Sequence, residues 1–183
     1  MQIGIDEVGR GSLAGPLVVG AVGLSSSLPG LKDSKQLSKA IRERIAEIIY
    51  SRAEVATLGW VWPHEIDLIG LTAATTLAIK RALAEITLPI DSIIIDGKFN
   101  FLPGNKLVET LVKADERVPS VSAASVIAKV ARDNYMSYLS NYFPDYGFDN
   151  HVGYGTKSHI SAIIANGPCV LHRLSFAPMS NSN

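Results

Sequence analysis

The chain has 183 residues, 47% of them hydrophobic, and its 17 Lys and Arg balance 17 Asp and Glu. This suits one globular domain with a full core, and it excludes nucleic-acid binding through bulk positive charge, though not through a local basic cluster. The longest apolar run, around residues 16–24, is far short of the roughly 20 residues of a membrane span. With the first strand starting at once, no signal peptide is expected, and the single cysteine, Cys169, allows no internal disulfide; both point to the cytoplasm.

The first element carries the chemistry. Ile3-Gly-Ile-Asp-Glu-Val-Gly-Arg-Gly-Ser-Leu-Ala-Gly-Pro16 reads as a short strand that ends in two adjacent carboxylates and enters a glycine-rich turn. Successive strand residues point to opposite faces, so Asp6 and Glu7 share a side only if the strand ends or bulges there. Gly9 and Gly11 leave room for a ligand to reach the main chain, and Arg10 offers a guanidinium fork between them. Gly9-Arg-Gly11-Ser-Leu-Ala14 has the glycine spacing of a dinucleotide fingerprint, but Leu17–Leu24 after it reads as a second strand, not the helix that would receive a pyrophosphate.

A polar loop, Leu31–Ser38, leads to a helix capped by Ser38, with Ile41, Ile45, Ile48 and Ile49 as its core stripe. Residues 54–62 form a third strand, on which Trp60 and Trp62 share a face as core or interface residues. Pro63 opens a helical stretch to about Ile86, broken near Gly70. Ser92-Ile-Ile-Ile-Asp96-Gly97 has the continuous apolar character of a strand buried on both faces, and it also stops on an aspartate. A weaker strand, Lys106–Lys113, leads to Asp115 and a long helix from Val121 to about Tyr142. The last helix has Thr156 as cap, Ile160, Ile163 and Ile164 as core stripe and Gly167-Pro168 as stop. Residues 1–176 therefore read as one domain and 177–183 as a flexible tail, with Cys169 as a packing residue.

The element pattern is that of an α/β protein with a mixed central sheet of about five strands flanked by helices. Ligands of open α/β sheets bind beyond the carboxyl ends of parallel strands, which brings Asp6, Asp96 and Asp115 within reach of one another. A cluster of carboxylates repels itself unless a cation neutralises it, and all-oxygen ligands select hard ions such as Mg²⁺ or Mn²⁺. Two such ions roughly 4 Å apart can activate a water and stabilise the leaving oxygen of a phosphodiester.

The residues carry a family resemblance along nearly the whole chain. Gly4–Pro16, Asp33-Ser-Lys-Gln-Leu37, Ile95-Asp-Gly97, Lys113-Ala-Asp115, Ser122-Ala-Ala-Ser-Val-Ile-Ala-Lys-Val-Ala-Arg-Asp133, Gly153-Tyr-Gly-Thr156 and His172-Arg-Leu-Ser-Phe176 resemble, in order, the motifs of ribonuclease HII, the type 2 ribonuclease H. The resemblance implies a ribonuclease H-like fold and a two-metal endoribonuclease. Its implied substrates are the RNA strand of RNA/DNA hybrids and duplex DNA carrying embedded ribonucleotides, nicked on the 5′ side to leave a 3′-hydroxyl and a 5′-phosphate. It implies that Asp6, Glu7, Asp96 and Asp115 are the catalytic carboxylates and hold Mn²⁺ or Mg²⁺. It also implies that Gly9, Arg10 and Gly11 surround the ribonucleotide and that Tyr154 stacks on the sugar at its junction with the following deoxyribonucleotide. A close backbone group in a glycine turn suits the detection of a 2′-hydroxyl. The Gly-Arg-Gly turn and the tyrosine separate the chain from the related type 3 enzymes.

Lys35 and Lys129 are candidate phosphate contacts, with Ser34 and Ser125 as companions. Asp133 is expected in a structural ion pair or on a helix surface. Asn150-His-Val-Gly153 lacks the Lys common before the tyrosine, a contact that Lys157 can replace. No clamp-binding box follows Phe176, and a monomer is expected. Two alternatives are a non-catalytic nucleic-acid-binding relative, opposed by the intact carboxylates, and a transposase or Holliday-junction nuclease of the same superfamily, opposed by the Gly-Arg-Gly and Gly-Tyr-Gly-Thr motifs.

Overall fold

The computed structural model describes residues 1–26, 28 and 38–181. Its sheet has the order β3-β2-β1-β4-β5, built from Gln2–Val8 (β1), Leu17–Gly23 (β2), Val55–Val61 (β3), Ser92–Asp96 (β4) and Val108–Leu111 (β5). The first three strands form an antiparallel meander, and β4 and β5 run parallel to β1, so the sheet is mixed as its sequence pattern predicts.

Alternation along the strands divides the core between two faces. Ile3, Ile5, Leu17, Val19 and Ala21 pack with Ala74, Ala78, Ile79 and Ala82 of α3 (Leu71–Ala84). On the other face Val22 meets Ala46 and Ile49 of α1 (Lys39–Arg52) and Ala123, Ala124 and Ile127 of α4 (Pro119–Ser140). Glycines let helix backbone lie directly on this sheet. A Cβ on Gly20 would stand 2.3 Å from the Ala124 carbonyl oxygen, and one on Gly4 would stand 2.3 Å from the Val121 nitrogen.

Short α2 (Pro63–Ile69) and α3 are separated at Gly70, whose φ of 78° ends the helical stretch where the sequence expects a break. Glu65 accepts from the Trp62 backbone N–H at 2.9 Å and is gripped by both terminal nitrogens of Arg81, tying α2 to α3. α5 (Phe148–His151) and α6 (Lys157–Asn166) follow α4 and pack under its second half with Met136, Tyr146 and Phe148.

Several expectations are corrected. Ile41 is 48% exposed, because α1 buries only Ala46 and Ile49 fully and its first turn projects past the packed surface. Ile164 is 79% exposed; α6 buries His159 with Ile163 instead. In β4 only Ile93 and Ile95 are fully buried, so one face is well covered and the other partly. Trp60 and Trp62 do share a face, where they stack on each other and meet the Tyr135 ring edge-on and at a tilt. Cys169 is half-buried, and burial pushes its thiol pKa up, as suits a packing residue. Beyond residue 176, Met179–Asn181 form a helical turn in which Met179 is buried.

Candidate active site

β1 runs without a bulge to Val8, in unbroken register with β2. Its parallel pairing with β4 stops at Ile5↔Ile95. Asp6, Glu7 and Asp96 are thus the first residues past the point where two parallel neighbours part. Side chains on opposite faces of β1 can reach one space there, because no strand fills the gap between them. Asp6, Glu7 and Asp96 line a cavity of about 370 Å³, together with Arg42, Ser125, Lys129 and Tyr154.

The carboxylates are braced by backbone donors. Asp6 accepts from the Glu7 N–H at 2.8 Å, and Asp96 accepts from the Ala114 N–H at 2.7 Å. The second bond places the helical turn Ala114–Glu116, and with it buried Asp115, at the end of β4. Asp115 is not among the residues lining the cavity. Glu7 lies 3.7 Å from Arg10. Burial raises the Glu7 pKa; Arg10 opposes that shift and nearby Asp96 adds to it. Among the described residues, no three Asp, Glu, His or Cys side chains converge closely enough to chelate an ion as they stand. Like charges that each have a backbone or guanidinium partner have no reason to crowd together until a cation joins them.

Lys129, one helical turn before Asp133, forms an ion pair with it at 3.0 Å and lies 5.7 Å from the Tyr154 ring. Ser125 lies one turn earlier on the same side of α4. Lys35 and Ser34 fall outside the described residues. The two glycines of the turn differ. Gly11 has open space where a Cβ would stand, whereas at Gly9, with φ +82°, a Cβ would meet the Arg132 Nε at 2.1 Å. The room beside Gly9 is therefore taken by a protein side chain.

Sequence reasoning missed Arg42 at the cavity wall and the set beneath it. Arg132 and Arg173 are fully buried, and His151, His159 and His172 form a buried cluster with Phe148. His159 Nδ1 lies 2.9 Å from the Tyr154 carbonyl oxygen, and its Nε2 lies 3.1 Å from His172 Nε2. Both arginines and His172 stand in motifs that carried the family resemblance, but no periodicity marks an arginine as buried.

Two parallel strands thus part beside Asp6, Glu7 and Asp96, and Lys129 and Tyr154 line the same cavity. The family described as Ribonuclease HII matches residues 3–179. The chain belongs to the ribonuclease HII family. Ribonuclease HII of Nitrosococcus oceani is 43% identical over 96% of this chain and 88% of its own. The ribonuclease HII of Archaeoglobus fulgidus, solved in complex with PCNA, has a TM-score of 0.80 at 26% identity, covering 96% of this chain and 95% of that one. Bst ribonuclease HIII, solved in complex with Mn²⁺, has a TM-score of 0.71 at 25% identity, covering 98% of this chain and 68% of that one. As a ribonuclease HII the protein is an endoribonuclease that hydrolyses phosphodiester bonds, and its fold is the ribonuclease H-like one. No helix among the described residues is long and apolar enough to cross a membrane.

Proposed function

We propose that Asp6, Glu7, Asp96 and Asp115 together hold divalent ions, Mg²⁺ or Mn²⁺, and that the enzyme nicks a nucleic-acid duplex on the 5′ side of a ribonucleotide. RNA/DNA hybrids and duplex DNA with a single embedded ribonucleotide are both substrates in this reading, and the products carry a 3′-hydroxyl and a 5′-phosphate. The observation that carries it is the cavity that Asp6, Glu7 and Asp96 share with Lys129 and Tyr154. The donor set fits a hard cation: it is all oxygen, and a cation would stabilise the charged form of Glu7, whose pKa is raised mainly by burial, with a smaller contribution from Asp96. The relative bound to Mn²⁺ supports the same choice.

When bound, the ions supply an activated water and stabilise the departing 3′ oxygen. The chain's own residues bind and orient. Asp96 is held in place by the Ala114 N–H, so its position is set before substrate arrives. Lys129 offers its ammonium to a phosphate, and its bond to Asp133 aims it at the cavity. The turn at Gly9, Arg10 and Gly11 presents backbone groups to the ribose, and the Tyr154 ring lies against the neighbouring sugar. Lys35 remains a proposed phosphate contact. The enzyme acts as a cytoplasmic monomer without a clamp-binding box in residues 177–183.

A duplex with one embedded ribonucleotide, incubated with Mg²⁺ or Mn²⁺ and then with chelator, tests the reading. The expected product is a nick 5′ of the ribonucleotide that chelator abolishes. Cleavage elsewhere, or cleavage indifferent to chelator, rules it out.

A further inference from the structure

Two fully buried arginines lie beneath the Gly9–Gly11 turn, and their hydrogen bonds go to backbone carbonyls and one hydroxyl. Arg132 donates through Nε to Pro16 O at 2.8 Å, through Nη1 to Val152 O at 2.9 Å, and through Nη2 to Ser12 Oγ at 2.7 Å and Ala14 O at 3.0 Å. Arg173 donates through Nη2 to Gly9 O at 2.7 Å and to Gly15 O at 2.9 Å, through Nη1 to Arg10 O at 2.9 Å, and through Nε to Gly15 O at 3.1 Å. None of these acceptors is a carboxylate. Asp133 and Asp67 act on the two guanidiniums only through longer-range attraction, and the guanidiniums repel each other.

A buried cation without a hydrogen-bonded counterion is an expensive way to fill space, and apolar side chains of like volume commonly do it at lower cost. What the arrangement supplies is orientation. In a trans peptide the N–H points away from the C=O. Neither peptide bond of the turn is cis. With the Gly9 and Arg10 carbonyls drawn inward to Arg173, the Arg10 and Gly11 amides must point outward. Two successive outward amides make a small cradle for an oxygen. Ser12 completes it by donating to the Gly9 carbonyl while accepting from Arg132.

Arg132 also spans to the second reading element. Its bond to Val152 O fixes the chain two residues before Tyr154, and its guanidinium carbon lies 5.4 Å from the Tyr154 ring centre. Backbone bonds from Leu13 and Ala14 to the Gly153 carbonyl close the same gap. One rigid plug thus sets the distance between the turn and the tyrosine ring.

We propose that Arg132 and Arg173 are positioning residues that set selectivity for an isolated ribonucleotide, by fixing the outward amides of Arg10 and Gly11 at a set spacing from the Tyr154 ring. This rests on the reading of the turn and of Tyr154 proposed above. An isolated ribonucleotide offers one 2′-hydroxyl at one junction, so both readers must fit at once. A uniform hybrid offers a 2′-hydroxyl at every step and tolerates a misplaced reader.

The test compares kcat and KM on two duplexes of equal length, one DNA with a single ribonucleotide and one a uniform RNA/DNA hybrid. Arg132→Lys and Arg173→Lys keep the charge and lose the fork. Each is expected to lower the ratio of kcat/KM on the single ribonucleotide to that on the hybrid by about tenfold. Ser12→Ala, a milder change that keeps the guanidiniums, is expected to lower the ratio roughly threefold and decides the matter if a lysine variant fails to fold. Adding Arg132→Lys to Tyr154→Ala is expected to lower the ratio no further, because both act through one reader. Proportional losses on both substrates, an unchanged ratio in Ser12→Ala, or additive losses in the double variant overturn the proposal. If Tyr154→Ala itself leaves the ratio unchanged, the underlying reading of Tyr154 fails instead, which separates the two.

Discussion

At the scale of single residues, the site divides into groups that do chemistry and groups that hold them. Asp96→Asn separates the two roles. The amide oxygen can still accept from the Ala114 N–H, so the melting temperature should stay within about 3 °C, while cleavage should fall at least ~100-fold with duplex binding still measurable by gel shift. Activity within tenfold of the parent would remove Asp96 from the site. Gly11→Ala makes a complementary case. Nothing lies within 4 Å of the added methyl, so unfolding free energy should change by less than about 0.5 kcal/mol. Single-ribonucleotide kcat/KM should nonetheless drop about tenfold or more, because the methyl enters the space proposed for substrate. The carboxylates were legible in the sequence because acids at the ends of apolar strands are conspicuous. The buried arginines were not, since arginine is mostly a surface residue and only tertiary contacts reveal one that is enclosed.

At the scale of elements, strands were easier to place than the covered faces of helices. The fourth and fifth strands end within two residues of expectation, and the break at Gly70 is where the sequence puts it. Ile41 and Ile164 were assigned inward from their spacing and lie outward, because a 3.6-residue stripe says which residues share a face and not how much of that face a neighbour covers. Of the two ways in which Asp6 and Glu7 could share a side, a strand end or a bulge, the bulge is absent. β1 stays regular, and it is the early end of its pairing with β4 that lets Glu7 and Asp6 reach one cavity. The close seat of α4 on the sheet gives a further prediction. In Gly20→Ala the new Cβ would meet helix backbone at the Ala124 carbonyl, which cannot swing aside as a flexible side chain can. A loss of about 1–3 kcal/mol is expected in the unfolding free energy from urea titration. A variant as stable as the parent would show that the helix can ride up at little cost.

At the scale of the whole molecule, the C-terminal segment is held to the rest by polar groups. Asp67 accepts from the Leu174 and Ser175 backbone N–H groups at 2.8 and 3.0 Å, and the histidine cluster backs the Tyr154 loop. Burial holds the His172 pKa down to about 4, with His159 adding to the shift, and burial lowers that of His159 as well. Both are neutral in the folded protein at pH values where the unfolded chain already binds a proton. Stability is therefore complete above the usual histidine range near 6.5 and is lost as pH falls toward 4. Unfolding free energy should be nearly flat between pH 8 and 7 and decline by roughly 1 kcal/mol per unit between pH 6 and 5. A flat or rising curve toward pH 5 would show that the cluster accepts protons in place.

By itself the sequence determined the order and kind of the elements, the acids at the ends of β1 and β4 and, through its motifs, the family. These depend on local patterns, in which apolar spacing, glycine and proline punctuation and short runs of residues can be read without knowing their neighbours. Only the tertiary structure decided that Asp6, Glu7 and Asp96 share one cavity with buried Asp115 in the turn braced against Asp96, that Arg132 fills the room beside Gly9, and that Arg132 and Arg173 bind together residues more than a hundred positions apart. Such contacts come from how two parallel strands part and which carbonyls the turn between β1 and β2 directs inward, and no local pattern encodes that geometry.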